Sequence, residues 1–201
     1  MMSEKENTIL GLKLPTDPRW ADIAALSLED ILTDHAFCEQ KAASQCITII
    51  QKYPDKTELV EALAPVVTEE WGHFRMVLAE MKRHGFALGR QRKDEYVNQL
   101  LQQEPKGISS EEKLLHKLMI CALIEARSCE RFRLLSENLK EERLRDFYRK
   151  FMISEAGHYR LFLEIARIYF DEQRVRQVWQ QWLQIEKNIL KNMTPRGDRM
   201  H

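Results

Sequence analysis

Glu70-Trp71-Gly72-His73 and Glu155-Ala156-Gly157-His158 are two versions of one short phrase, and the fold is read outward from them. Residues three apart on a helix share a face, with Cβ atoms about 5–6 Å apart, so each Glu-x-Gly-His sets a carboxylate beside an imidazole. Each is half of a metal site. Both hold glycine at the same interior position, where it costs about 1 kcal/mol of helix stability relative to alanine. That repeated cost implies close backbone approach or a local helix distortion beside the site.

The sequence around these phrases has the 3.6-residue apolar period of amphipathic helices. One helix opens at Ser27 with Ser-Leu-Glu-Asp and closes at Pro54; Glu39 points within about 20° of Leu28, inside the row of Ile31, Leu32, Cys46 and Ile49. A second opens at the capping box Asp55-Lys56-Thr57-Glu58 and runs to about His84, with Gly85 as its left-handed stop and a bend expected at Pro65. Glu70 and His73 interrupt its row of Leu59, Leu63, Val66, Val77 and Met81. Residues 86–108 form a connector with a short helix from about Lys93 to Gln102. A further capping box, Ser109-Ser110-Glu111-Glu112, starts a helix to about Asn138 that carries Glu125 in its apolar row. Glu130 is rotated about 140° from Glu125 and is expected to face outward. The next helix, about Glu141 to Phe170, carries Glu155 and His158; the last, about Glu172 to Asn192, is capped by Asp171 and reads as core packing through Trp179 and Trp182. Residues 1–26 read as an irregular lead-in with Trp20 tucked against the helices, and 194–201 as a mobile tail. No stretch alternates with period two, so the fold class is all-α.

Two helices thus insert one glutamate each into an apolar row, and two insert Glu-x-x-His. Glu39 precedes Glu70 by 31 residues and Glu125 precedes Glu155 by 30, so one helical hairpin is used twice. Unpaired burial of four carboxylates would cost several kcal/mol each, whereas two divalent cations neutralise them and accept oxygen and nitrogen donors together. A Glu from each of two helices with Glu-x-x-His from each of the other two is the carboxylate signature of the ferritin-like four-helix bundle. The expected architecture is a single domain over 1–201, with a core bundle over about 27–170 and an extra C-terminal helix over about 172–192. Glu39, Glu70, His73, Glu125, Glu155 and His158 are the metal-ligand candidates, for two iron ions or, with the same donors, manganese. His35, one turn before Glu39, reads as packing, with support of a ligand as the alternative; Tyr148 reads as core, with lining of a substrate pocket as the alternative; Arg127 and Arg131 read as partners for ligand carboxylates or for carboxylates just outside the ligand set.

Lys plus Arg equals Asp plus Glu at 31 each, so a polyanion partner must be met by a local patch. Lys82, Arg83, Arg90, Arg92 and Lys93 flank the turn after the second helix; such a run is ordinarily a solvated face, and a phosphate-contacting role is the alternative. The four cysteines, Cys38, Cys46, Cys121 and Cys129, lack C-x-x-C spacing and read as reduced, buried thiols. No stretch approaches the roughly 18 apolar residues of a membrane span, and a cytoplasmic protein is expected.

The segments Asp34-His35-Ala36-Phe37-Cys38-Glu39-Gln40-Lys41, Glu69-Glu70-Trp71-Gly72-His73-Phe74, Leu123-Ile124-Glu125-Ala126-Arg127 and Ser154-Glu155-Ala156-Gly157-His158-Tyr159 resemble the bacterial MiaE tRNA hydroxylase family, from about Thr16 to Lys191. The resemblance implies a non-haem di-iron monooxygenase that hydroxylates the isopentenyl group of 2-methylthio-N6-isopentenyladenosine beside the tRNA anticodon. It implies dioxygen, two electrons from a donor reductase, catalysis through the six metal ligands, Glu70 and Glu155 as bridging carboxylates, and the basic residues above as the tRNA-facing rim. A monomer or dimer is expected. The rival readings on the same ligands are a rubrerythrin-like peroxidase or manganese catalase, and a non-enzymatic iron-binding bundle; the missing C-x-x-C pairs weigh against rubrerythrin.

Overall fold

The structure, a computed structural model, describes residues 9–194 and 196–200. Among these residues there are seven α-helices, one 3-10 turn at Ile9–Gly11 and no strand. The helices are α1 (Trp20–Ala25), α2 (Leu28–Lys52), α3 (Thr57–Arg83), α4 (Glu95–Gln102), α5 (Ser110–Asn138), α6 (Glu142–Tyr169) and α7 (Glu172–Lys191). The long elements match the periodicity to within a residue or two. The lead-in expected to be irregular contains the 3-10 turn and α1, short elements without a long enough apolar period to announce them.

The caps separate into those whose side chains reach the orphan N–H groups and those that do not. Ser109 accepts from Glu112 N at 3.1 Å, Asp171 from Gln173 N at 2.8 Å, and Asp94 from Val97 N at 3.0 Å. Ser27 occupies the first cap position of α2 but makes no side-chain cap bond. At α3 the cap falls on Lys56, one residue after the expected Asp55, and lysine has no acceptor to offer. The end of α3 follows the expectation: Gly85 takes φ +75° and Phe86 N donates back to Met81 O at 2.9 Å. Pro65 lies inside α3, which continues through it.

The described chain packs as two compact units. One comprises Ala21–Lys93 with Arg196–Met200, and is built on the α2–α3 hairpin. Its C-terminal segment, expected to be mobile, is held in place: Met200 is buried and its N–H donates to Asp34 Oδ2 at 2.8 Å, while Arg92 bridges Asp198 at 3.2 Å and Asp30 at 3.1 Å. Met200 brings an apolar side chain and Asp34 is a buried acceptor in need of a donor, which outweighs the local signal of Gly197 and its neighbours.

The other unit contains the described residues up to Trp20 and those from Asp94 to Thr194, and is built on the α5–α6 hairpin with α7 and α4 against it. Because α6, α7 and the lead-in all cover α5, nearly its whole circumference is buried, and its charged residues must find partners inside. Arg127 Nε donates to Glu186 Oε1 at 2.8 Å, Nη2 to the Leu14 carbonyl at 3.0 Å, and Nη1 to Glu130. Thr16 Oγ1 donates to Glu130 at 2.6 Å and Tyr96 Oη to Glu186 at 3.2 Å. Glu130, expected outside, is therefore 1% exposed. Arg127 pairs with these two acids and not with a ligand carboxylate; Arg131 lies over the buried Trp20 ring, 4.3 Å from its centroid. Burial and the neighbouring Arg127 charge push the Arg131 guanidinium down to about 9, which leaves it charged at neutral pH.

All four cysteines are thiols outside any disulfide; three are buried and Cys38 is half-buried. Burial pushes the Cys121 and Cys129 thiols up to about 12, so they stay protonated, and Cys129 Sγ donates to Met152 O. Among the described residues no helix is long and apolar enough to cross a membrane.

Candidate metal centre

All six ligand candidates are buried, three of them in each unit. In the α2–α3 hairpin, donor atoms of Glu39, Glu70 and His73 all lie within 4.8 Å of one another. The helix period places them there: Glu70 and His73 share one face of α3, and Glu39 faces them from α2. His73 Nδ1 is 3.2 Å from Glu39 Oε2 and 3.3 Å from Glu70 Oε2. In the α5–α6 hairpin, donor atoms of Glu125, Glu155 and His158 likewise lie within 4.8 Å of one another, with His158 Nδ1 at 3.7 Å from Glu155 Oε2. Each hairpin thus assembles two carboxylates and one imidazole.

The donor spacing fits a metal ion. A ring nitrogen carries at most one proton, so His73 Nδ1 cannot satisfy two carboxylates with two full hydrogen bonds. A cation at the centre of the three serves all of them: in an octahedral shell with bonds of about 2.1 Å, adjacent donors stand about 3 Å apart, close to the separations in the first cluster. The 3.7 Å gap in the second is too long for a hydrogen bond yet suits two donors of one coordination shell.

His35 follows the alternative reading, as a support for Glu39 rather than packing alone. It is 0% exposed and its Nε2 donates to Glu39 Oε1 at 2.7 Å, leaving the other Glu39 oxygen directed at His73. The i, i+4 spacing on the ligand face was the signal for it. Tyr148 is core, stacked on Phe132 with ring centroids 5.6 Å apart.

The close approach offered as one reason for the glycines of the two phrases is not found. A Cβ built at Gly72 or at Gly157 meets nothing within 4 Å, so no neighbouring backbone or side chain demands glycine there. Of the five basic candidates, Lys82, Arg90 and Lys93 are exposed, Arg83 Nε stands 3.8 Å from Glu80, and Arg92 is committed to Asp30 and Asp198.

Sequence reasoning passed over Glu186, 0% exposed in the middle of the α7 stripe between Trp182 and Ile189. The rule that singled out Glu39 applies equally to it. What separates the two is the partner: Glu186 meets a guanidinium, whereas the partners seen here for Glu39 are imidazoles. The cavity of about 340 Å³ lined by His116, Trp182 and Ile185 contains none of the ligand candidates; there Trp182 Nε1 donates to His116 Nδ1 at 3.0 Å.

An all-helical chain with buried acid and imidazole clusters of this composition is a ferritin-like protein suited to metal binding. A solved structure described as protein 43 with aldehyde deformylating oxygenase activity, from Synechococcus, matches it with a TM-score of 0.88 and 32% identity over 94% of each chain, in agreement with the expected fold class. The family model for tRNA-(MS[2]IO[6]A)-hydroxylase (MiaE) matches residues 3–201, and the chain belongs to that family. A relative from Pseudomonas putida, named tRNA 2-(methylsulfanyl)-N(6)-isopentenyladenosine(37) hydroxylase, is 38% identical over 165 residues, covering 80% of this chain and 77% of the relative. A relative of the same name from Salmonella typhimurium is 27% identical over 207 residues, covering 78% and 75%.

Proposed function

We propose that this chain hydroxylates the isopentenyl group of 2-methylthio-N6-isopentenyladenosine in tRNA, beside the anticodon, using dioxygen and two electrons from a donor reductase. The observation that carries the reading is the pair of buried clusters, two carboxylates and an imidazole in each hairpin, in a member of the MiaE family. In this proposal Glu39, Glu70 and His73 from one hairpin and Glu125, Glu155 and His158 from the other would be the ligands of two iron ions, in a chain that works as one catalytic domain. Glu70 and Glu155 would serve as the bridging carboxylates.

The iron pair, when bound, supplies dioxygen activation and insertion of one oxygen atom into an unactivated C–H bond, the second leaving as water after uptake of two electrons and two protons. The chain's own residues do the rest. His35 fixes the Glu39 carboxylate through the 2.7 Å bond, so the acid presents one oxygen in a set direction. Apolar walls keep water from the donors; Val66 and Val77 flank Glu70 and His73 along α3, and Phe151 and Phe162 flank Glu155 and His158 along α6, all buried. A modified base in a single-stranded loop is the part of RNA that a protein can most readily splay out and read, and Lys82, Arg90 and Lys93 offer exposed cations for its phosphates. Such a substrate makes the cytoplasm the working compartment.

The test is nucleoside mass spectrometry of tRNA from cells whose only copy is wild type or Glu70→Ala, with metal analysis of both purified proteins. The variant should lose the hydroxylated nucleoside, accumulate the isopentenyl precursor and bind less iron. Unchanged hydroxylation in the variant would overturn the assignment; manganese in the active wild type would reassign the metal.

A further inference from the structure

The outer face of α3 carries a second pattern that the metal cluster does not use. Trp71 follows the ligand Glu70 directly, yet it is 47% exposed, a large apolar ring left at the surface. Its ring is not loose. Phe74, itself buried, packs against it with centroids 4.9 Å apart and an interplanar angle of 34°, which restrains the indole while close to half of the residue stays open to solvent. The glycine beside it adds no bulk, and a Cβ built there meets nothing within 4 Å.

Along the same face stand Arg75 and Lys82. At 100° per residue, Trp71, Arg75 and Lys82 lie within about 40° of one another, a single stripe about 16 Å long. Both cations are exposed, and neither makes an ion pair among the described residues. The nearest exposed acid in sequence, Glu69, points about 160° away from Trp71. An exposed aromatic ring in line with exposed positive charge is what single-stranded nucleic acid requires: the ring stacks a base of any identity and the cations follow the phosphates.

We infer that the Trp71–Arg75–Lys82 stripe is a binding platform for single-stranded RNA, with Trp71 stacking an unpaired base that flanks the target nucleotide and Arg75 and Lys82, about 10 Å apart along the helix axis, contacting phosphates about three nucleotides apart. This rests on the proposed function and gives it a surface. Trp71 is a substrate-positioning residue, set one position from a metal ligand, so that a base stacked on it brings the strand to the rim of the α2–α3 cluster. At 3.4 Å per stacked nucleotide the stripe spans about five nucleotides.

The experiment measures affinity of the full, metal-loaded chain for an anticodon stem-loop RNA bearing the isopentenylated adenosine, by fluorescence anisotropy over a range of salt, with unfolding midpoints as a check on folding. Trp71→Ala should raise Kd about 5- to 150-fold, and Trp71→Phe, which keeps a stacking ring, should recover most of that. Arg75→Ala and Lys82→Ala should each flatten the slope of log K against log salt by about 0.7. Equal losses in the alanine and phenylalanine variants, or a Trp71→Ala affinity within twofold of wild type, would overturn the platform while hydroxylation by the wild type kept the functional reading alive. Wild-type protein that neither binds nor hydroxylates the RNA would sink both. If RNA affinity held and only reduction by the donor protein slowed, the stripe would belong to that protein and the inference would be wrong.

Discussion

Replacing Arg127 by methionine removes the one guanidinium that serves two buried acids. In the wild type it donates to Glu186 and Glu130 and holds the lead-in through the Leu14 carbonyl, with Arg127 and both acids almost fully enclosed. Methionine keeps much of the volume but leaves Glu186 with only the Tyr96 hydroxyl and Glu130 with the Thr16 hydroxyl and N–H. Breaking a buried ion pair by removing one partner costs about 3–5 kcal/mol. For a chain of this length, at about 2–4 °C per kcal/mol, the unfolding midpoint should fall by about 6–20 °C. The loss also carries a pH signature. Burial raises the Glu186 carboxyl above its ordinary 4.5, while the Arg127 charge opposes that rise. Without Arg127 the upward shift grows. A folded-state value above the unfolded one means that the stabilising, protonated form is fully present below pH 4.5 and is lost as pH rises through the folded value. The gap between wild type and variant should therefore be widest near pH 8 and narrow towards about pH 5. Thermal unfolding followed by circular dichroism at both pH values measures it. The double variant Arg127→Met, Glu186→Leu, which removes the stranded charge, should regain a large part of the loss. A midpoint change of less than about 2 °C, or a gap of equal size at both pH values, would refute the reasoning.

Two further outcomes follow from the site. His35→Ala frees the Glu39 carboxylate from its 2.7 Å restraint and should weaken metal affinity about 10- to 100-fold in a chelator competition; an unchanged affinity would return His35 to a packing role. Gly72→Ala and Gly157→Ala place a methyl group in open space on helices without positive φ at these positions, and each should stabilise the fold by about 0.5–1 kcal/mol, seen as a raised unfolding midpoint. A lowered midpoint would show that the glycines serve a close approach after all.

The elements most legible from the chain were those whose signals are local. The 3.6-residue period located α2, α3, α5, α6 and α7, and the caps at Ser109, Asp171 and Gly85 bounded three of their ends, because each depends on residues within a turn of one another. The ligand candidates were legible for a related reason. An acid on an apolar row has to be answered by something, and the row itself reveals the acid. The same rule marked Glu186 in the α7 stripe just as clearly, although it was read over there as part of a packing face.

Identity of the answering group is what local pattern does not contain. Arg127 and Glu186 are 59 residues apart, and Thr16 and Glu130 are 114 apart, so no helical period connects them. Glu130 points away from the ligand row on α5 as the 100° step requires, but α7 and the lead-in cover that side too, and the outward face of the helix becomes interior. Arg92 and Met200 were misjudged in the same way: a charged turn and a Pro/Gly tail, each solvated on its own terms, become a docked pair once Asp30, Asp34 and Asp198 surround them. Periodicity depends on the angle between neighbours along one helix and is present in the string of residues. Which charge meets which is settled by chain closure over tens of residues, and that exists only when the chain is folded.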